Sequence, residues 1–167
     1  MKGGKMFGFA KKKKQVSNDT KLYAPLTGEI IELDKVSDPV FAKKIMGDGF
    51  AVEPTDGKIV SPVAGEVTVQ QGHALGFKRA DGLEVLLHLG IDTVSLNGAP
   101  FKLNVSVGDI VDAGDRLGEM DCAQIEAAGL PKTTMVLITN TTDKLGNLTV
   151  NYGRTTAGNP VGEAIAK

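Results

Sequence analysis

The segment that decides the fold is APLTGEII at residues 24–31, because it returns as SPVAGEVT at residues 61–68. The first copy begins at residue 24 and the second at residue 61, an offset of 37 residues. In each copy a glycine separates an extended stretch from β-branched residues, which indicates a turn with positive φ followed by a strand. A repeat of this kind indicates two equivalent strand-turn-strand units. We therefore expect an all-β protein, a duplicated β-sandwich.

The composition also favours short strands joined by turns. The chain of 167 residues contains 21 Gly and 7 Pro but no Trp, and only 5% of it is aromatic. Two short helical turns are indicated at the periphery of the sheets. The first has Asp38 as N-cap, Pro39 at its first position and Gly47 at its exit, and the second follows Asp121 and ends before Gly129.

Length, charge and cysteine content restrict the class of protein. The length suits a single domain, and a formal net charge of −1 argues against a nucleic-acid-binding protein with a basic face. Cys122 is the one cysteine, so an intramolecular disulfide and a CxxC metal site are excluded, and the cytoplasm is the expected compartment. No apolar stretch is long enough for a secretory signal or a membrane span.

Residues 1–20 differ from the rest of the chain and are interpreted as a flexible basic tail that precedes a domain at residues 21–167. The tail contains Lys2, Lys5 and the run Lys11 to Lys14, but a single acidic residue, Asp19. A terminal charge run of this kind is usually solvated and disordered. The alternative is contact with a membrane surface, in which Met6, Phe7 and Phe9 insert beside the lysines.

The stretch from His73 to Gly90 predicts a β-hairpin, because Asp81-Gly82 lies between two strand-like runs and favours a two-residue type I′ loop. In that register Arg79 opposes Glu84 and Leu75 opposes His88. His73 is then the diagonal neighbour of His88 on the same face, about 7–8 Å away. The pattern therefore predicts that the only two histidines of the chain lie together.

Two neighbouring imidazoles are able to share one small anion. A ring nitrogen of one attacks phosphorus, while the other donates a hydrogen bond to a phosphoryl oxygen. Two alternatives stay open on these residues. The histidines are satisfied core residues, or they share a metal, in which case Asp38 or Asp92 must complete the usual set of three or four ligands.

Four ordered motifs resemble one known family, the glucose-family IIA domain of the phosphoenolpyruvate-dependent sugar phosphotransferase system. They are HLGIDTV at residues 88–94, GHA at 72–74, APLTGEI at 24–30 and FAKKIMGDG at 41–49. The resemblance covers roughly Leu22 to the C-terminus, and four motifs in order are more specific than any one of them.

The resemblance implies a β-sandwich of duplicated hybrid motifs and a phosphotransferase component without cofactor or metal. His88 is expected to take the phosphoryl group from the histidine-containing phosphocarrier protein and to pass it to a cysteine of a IIB domain, with His73 as its supporting partner. Asp38 and Asp92 match the acidic residues that flank the family's site. They are expected to repel phosphate until a basic side chain of the partner neutralises them. The sugar is chosen by the membrane permease.

The same resemblance predicts a docking surface for successive partners, formed by exposed Phe41, Ile45, Met46 and Val94, although core packing is the alternative for each. The chain departs from the family at Gln71, where many relatives carry threonine two positions before the first histidine. A glutamine amide is also able to donate or accept a hydrogen bond. The segment from Lys132 to Met135 departs as well, since relatives often have a proline there.

Two other functions remain open beside the phosphoryl carrier. One is a regulatory protein that binds transporters or kinases through its unphosphorylated form. The other is a zinc-dependent hydrolase on a related sandwich, although the chain lacks the His-x-His pair that such an enzyme uses.

Overall fold

A computed structural model describes residues 14–167. Within these residues strands dominate and the helices are short. The strands are β1 Lys21–Tyr23, β2 Gly28–Glu32, β3 Asp48–Pro54, β4 Lys58–Val60, β5 Gly65–Gln71, β6 Ala74–Lys78, β7 Glu84–His88, β8 Phe101–Leu103, β9 Ile110–Val111, β10 Arg116–Met120, β11 Thr134–Ile138, β12 Leu145–Val150, β13 Gly153–Thr155 and β14 Pro160–Ala166. The α-helices are α1 Pro39–Ala42, α2 Cys122–Ala127 and α3 Thr141–Lys144, and 3-10 turns span Leu33–Lys35 and Thr93–Leu96.

Between residues 14 and 167 the strands form one large sheet and two small ones. The large sheet has the order β13-β2-β3-β11-β7-β6-β5-β9, and the small sheets have the orders β1-β14-β12 and β4-β10-β8. All strand pairs in the described part of the chain are antiparallel. The predicted all-β sandwich with short peripheral helices is therefore confirmed.

The starts of the two copies lie against each other, because the Val60 amide donates to the Pro25 carbonyl and the Tyr23 amide donates to the Pro62 carbonyl, each at 2.9 Å. Gly28 begins β2 and Gly65 begins β5, so the copies occupy equivalent places. The predicted positive φ at these glycines is wrong. They are needed because a neighbouring strand approaches closely: a Cβ at Gly28 would lie 2.1 Å from the carbonyl oxygen of Glu53.

Two apolar clusters hold the sheets together, one on each face of β11, which is buried along its whole length. Val136 and Ile138 belong to the larger cluster, which fills the sandwich. Met135 and Leu137 belong to the smaller cluster, which includes Phe41 of α1. Alternate residues of a strand point to opposite faces, so α1 covers the outer face of the large sheet.

The hairpin of β6 and β7 forms, but its predicted register is wrong by one residue. Lys78 opposes Glu84, and Ala74, not Leu75, opposes His88. Residues 80–82 form a three-residue loop, closed by a hydrogen bond of 2.9 Å from the Arg79 amide to the Leu83 carbonyl.

The side chain of Asp81 explains the longer loop. Its carboxylate accepts from the Arg79 guanidinium and, at 3.3 Å, from the Leu83 amide. Arg79 is therefore buried in an ion pair instead of lying opposite Glu84.

Both predicted helix starts are confirmed by side-chain capping. The Asp38 carboxylate accepts from the Val40 amide at 2.8 Å, and the Asp121 carboxylate accepts from the Gln124 amide at 3.1 Å. Gly47 has a positive φ of 124° where the chain leaves the α1 region. Regular α1 is shorter than the two turns expected.

The predicted basic tail is described only from Lys14 onward. The Lys14 ammonium lies 3.0 Å from the Asp112 carboxylate, and the Thr20 carbonyl accepts from the Ala164 amide at 2.9 Å. These residues of the tail therefore contact the domain. The predicted membrane contact of Met6, Phe7 and Phe9 falls outside the described residues. Among residues 14–167 there is no helix long and apolar enough to cross a membrane.

Candidate functional site

His88 is the last residue of β7 and projects from the outer face of the large sheet. Its neighbour Leu87 is fully buried in the sandwich core, so the pleat turns His88 to the opposite face. There it pairs in register with Met135 of β11, a member of the smaller cluster. The imidazole lies at the edge of that cluster and is partly exposed.

The ring of His73 lies beside that of His88, with ring centroids 5.0 Å apart and planes inclined by 74°. The expected proximity is confirmed, but the route to it differs from the predicted diagonal pair. His73 precedes β6 in a turn, where its carbonyl accepts the Leu89 amide at 2.8 Å. The turn fits closely because a Cβ at Gly72 would lie 2.7 Å from the Cα of Gly98.

A backbone carbonyl determines which nitrogen of His88 carries the proton. The Nδ1 atom lies 2.8 Å from the carbonyl oxygen of Gly90. Because a carbonyl oxygen only accepts hydrogen bonds, the neutral ring is protonated at Nδ1 and has its lone pair at Nε2. Sequence reasoning missed this contact, because its acceptor is a backbone carbonyl, which every residue type has.

Burial favours the neutral form of both rings. Desolvation lowers the pKa of His88 below its ordinary value of 6.5, and the nearby His73 lowers it further. The hydrogen bond to Gly90 and the charges of Asp38 and Asp92 act in the opposite direction, and desolvation outweighs them. Desolvation also lowers the pKa of His73. Both imidazoles are therefore mainly neutral at pH 7, with His88 available as a nucleophile.

The predicted docking residues divide into two pairs. Phe41 is not exposed: it packs in the smaller cluster, and its ring centroid lies 4.9 Å from that of His88. Met46 is also partly buried against this cluster. Both serve packing because α1 must cover the outer face of the sheet. Ile45 and Val94 are exposed, at 69% and 61%, and Val40, which sequence reasoning missed, is exposed at 42%.

Three predicted site residues remain, of which Asp38 and Asp92 lie near His88. Asp38 and Asp92 lie near enough to raise the pKa of His88 through their charge. Asp38 also caps α1, so it is both the predicted N-cap and a carboxylate near His88. Asp92 is exposed and adopts a left-handed φ of 62°. Gln71 is exposed at the end of β5, paired with Ala74, and its supporting role stays a prediction.

The sequence matches the family described as "phosphoenolpyruvate-dependent sugar phosphotransferase system, EIIA 1" over residues 20–144. The chain belongs to this family. As an EIIA member it is a phosphotransferase component that works with phosphocarrier and sugar-specific membrane components. The resemblance inferred from the four motifs is confirmed.

Relatives and a solved structure agree with this membership. The chain is 45% identical over 139 residues to the "PTS system glucose-specific EIIA component" of Staphylococcus aureus, covering 82% of each chain. It is 43% identical over 138 residues to the protein of the same description from Staphylococcus epidermidis, covering 81% of each. It is 36% identical to the glucose permease IIA from Mycoplasma capricolum, with a TM-score of 0.75, covering 85% of this chain and 93% of that one.

These matches favour the phosphoryl carrier over the hydrolase, because the family and both relatives are described as components of the phosphotransferase system. Across residues 14–167, no three His, Cys, Asp or Glu side chains cluster in a way that would hold a metal ion.

Proposed function

We propose that the chain carries a phosphoryl group on Nε2 of His88, taken from the histidine-containing phosphocarrier protein and passed to a cysteine of a sugar-specific IIB domain. The observation that carries this proposal is the 2.8 Å contact between His88 Nδ1 and the Gly90 carbonyl. It leaves Nε2 with a lone pair, beside a second imidazole and at a partly exposed position.

The transfer is an exchange between two imidazoles. Nε2 of His88 attacks phosphorus, the new N–P bond forms, and the N–P bond of the donor phosphohistidine breaks, returning its electron pair to the donor ring. Positive charge develops on the His88 ring while Nδ1 keeps its proton. The Gly90 carbonyl stabilises that charge because the hydrogen bond that it accepts from Nδ1–H becomes stronger. The phosphorylated ring is then a good leaving group for attack by a thiolate.

His73 supports the phosphoryl group by hydrogen bonding. Its neutral ring retains one N–H, and its contact with the His88 ring, at a centroid distance of 5.0 Å, keeps that N–H near a phosphoryl group carried by His88. Charge-assisted hydrogen bonds of this kind are the stronger ones. Gln71 ends β5 two residues before His73, and we assign its amide the predicted supporting hydrogen bond.

The rim of the site recognises the partners. Ile45 and Val94 are the exposed apolar residues of the predicted docking set, and a partner surface that covers them removes water from the imidazoles. Asp38 and Asp92 surround the phosphoryl position with negative charge. A basic residue of the partner neutralises them on docking, so transfer is coupled to formation of the complex.

The physiological sugar follows from the membrane partner. Both staphylococcal relatives are described as glucose-specific, and we extend this specificity to the system that the chain serves. We place its action in the cytoplasm, the reducing compartment expected for a chain with a single cysteine.

A reconstituted phosphorylation assay tests the proposal. The protein is incubated with labelled phosphoenolpyruvate, Enzyme I and the phosphocarrier protein, and the modified residue is identified by mass spectrometry. We expect one acid-labile phosphoryl group on His88, dependent on all three components, and none on His88→Ala. His73→Ala serves as the matched control, because it removes the other imidazole and leaves the proposed acceptor. Labelling of His88→Ala to the wild-type extent contradicts the proposal.

A further inference from the structure

The turn that follows His88, residues 89–93 and called here the Gly90 turn, is held from both sides. Gly90 has φ of 78° and Asp92 has φ of 62°, both left-handed. This region favours glycine and is sparsely occupied by other residues. The turn therefore adopts a conformation that its own sequence does not fully determine, and contacts with the rest of the chain must select it.

One peptide unit of this turn is fixed at both of its ends. Its carbonyl, from Gly90, accepts the His88 Nδ1 proton at 2.8 Å. Its N–H, from Ile91, donates to the Pro131 carbonyl at 3.1 Å. In a trans peptide these two groups point in opposite directions. The plane that satisfies Pro131 is thus the plane that directs the Gly90 carbonyl at His88.

The preceding peptide unit is fixed by Thr93. The Thr93 hydroxyl donates to the Leu89 carbonyl, and the Thr93 side chain is fully buried. Its methyl group also packs against Gly90, because a Cβ on Gly90 would lie 2.5 Å from Thr93 Cγ2. A single side chain therefore holds one carbonyl by hydrogen bonding and the next Cα by contact.

We propose that Thr93 is a positioning residue for phosphoryl transfer: by fixing the Gly90 turn it keeps His88 in the tautomer protonated at Nδ1, with Nε2 open for attack. Thr93 does not touch the phosphoryl group and acts through the Leu89 and Gly90 peptides. Its hydroxyl is the group that fixes the turn, by donating to the Leu89 carbonyl, and its methyl group fills the space beside Gly90. This inference rests on the proposed role of His88 as acceptor.

Without the Thr93 hydroxyl, the Leu89 carbonyl loses that partner and rotates to find another. Because Gly90 joins the two peptide units, this rotation also turns the Gly90 carbonyl away from His88. The Gly90 carbonyl then no longer selects one tautomer, and a fraction of His88 is protonated at Nε2, where it cannot attack phosphorus. Loss of one hydrogen bond of ordinary net strength corresponds to a change of about three- to tenfold in rate.

The test compares Thr93→Val, which has nearly the same shape without the hydroxyl, with Thr93→Ser, which keeps the hydroxyl. Histidine-labelled protein is studied by two-bond 1H–15N NMR, which reports the protonated nitrogen of each ring. We expect wild type and Thr93→Ser to hold His88 as the Nδ1–H tautomer. We expect Thr93→Val to give a mixture, with transfer from the phosphocarrier protein slowed about three- to tenfold. Far-UV circular dichroism checks that each variant is folded.

Wild-type tautomer and rate in Thr93→Val overturn the inference, as does an Nε2–H tautomer in the wild-type protein, which is measurable even if Thr93→Val fails to fold. Equal tautomer mixtures in Thr93→Val and Thr93→Ser also overturn it, since the hydroxyl is then not responsible. Labelling of His88→Ala, run in parallel, reports separately on the proposed acceptor. A normal Thr93→Val with an unlabelled His88→Ala rejects the positioning role alone.

Discussion

Replacing Gly90 by alanine places a methyl group where the structure has no space for one. The backbone φ of 78° is unfavourable for an L-residue, at about 1–2 kcal/mol. The new Cβ would also lie 2.5 Å from Thr93 Cγ2 and 3.2 Å from the Pro131 carbonyl oxygen. Overpacking of this kind adds about 1–3 kcal/mol. We therefore expect Gly90→Ala to lower the free energy of unfolding by about 2–5 kcal/mol.

Gly114→Ala is the matched control. Gly114 has a similar φ of 85°, but a Cβ there meets nothing within 4 Å. Only the backbone contribution applies, so we expect a loss of about 1–2 kcal/mol. The difference between the two variants isolates the contact with the Gly90 turn.

Urea unfolding followed by far-UV circular dichroism measures both variants, since the chain has no Trp to report by fluorescence. The initial rate of phosphoryl transfer is measured on folded protein. We expect Gly90→Ala to be slower about three- to tenfold, because displacement of the turn weakens the Nδ1 hydrogen bond of His88, and Gly114→Ala to match wild type. The reasoning is refuted if Gly90→Ala is no less stable than Gly114→Ala and transfers at the wild-type rate.

Four further predictions concern the site. Burial lowers the pKa of His88, so the unfolded chain binds the proton more readily and the free energy of unfolding decreases as pH falls below 6.5. Urea unfolding at several pH values measures this decrease, which we expect to be smaller in His88→Gln. Phe41→Leu admits water to the His88 ring and raises its pKa toward 6.5, so transfer slows more at about pH 6 than at about pH 8; equal slowing at both contradicts this. His73→Ala still labels His88, but transfer slows about ten- to a hundredfold in a rapid-quench assay, and an unchanged rate removes His73 from the mechanism. Val94→Glu raises KM for the phosphocarrier protein about tenfold, whereas Val107→Glu, exposed to 63% against 61% for Val94, leaves it unchanged.

The repeat and the turn residues were sufficient to predict the class of fold, because the requirement for a strand after each glycine is local. The conformation of Gly28 and Gly65 was not predicted, since the reason for glycine there is a neighbouring strand that the local sequence does not reveal. Capping at Asp38 and Asp121 was predicted correctly because a cap depends on residues two or three positions away. Phe41 was placed on the surface by its motif, although the outer face of the sheet required it for packing.

The sequence alone determined which side chains are available for chemistry: two histidines, fifteen residues apart at positions 73 and 88, with acidic and apolar residues in the adjoining motifs. Tertiary structure decided how they meet. The hairpin register depends on the ion pair between buried Arg79 and part-exposed Asp81, and the free nitrogen of His88 depends on a carbonyl whose direction is fixed by Pro131, which follows α2. Local pattern does not encode either result. Arg79 is held next to Asp81 because its guanidinium also donates to the carbonyls of Thr20 and Ala164, and Pro131 is likewise distant in the chain from His88.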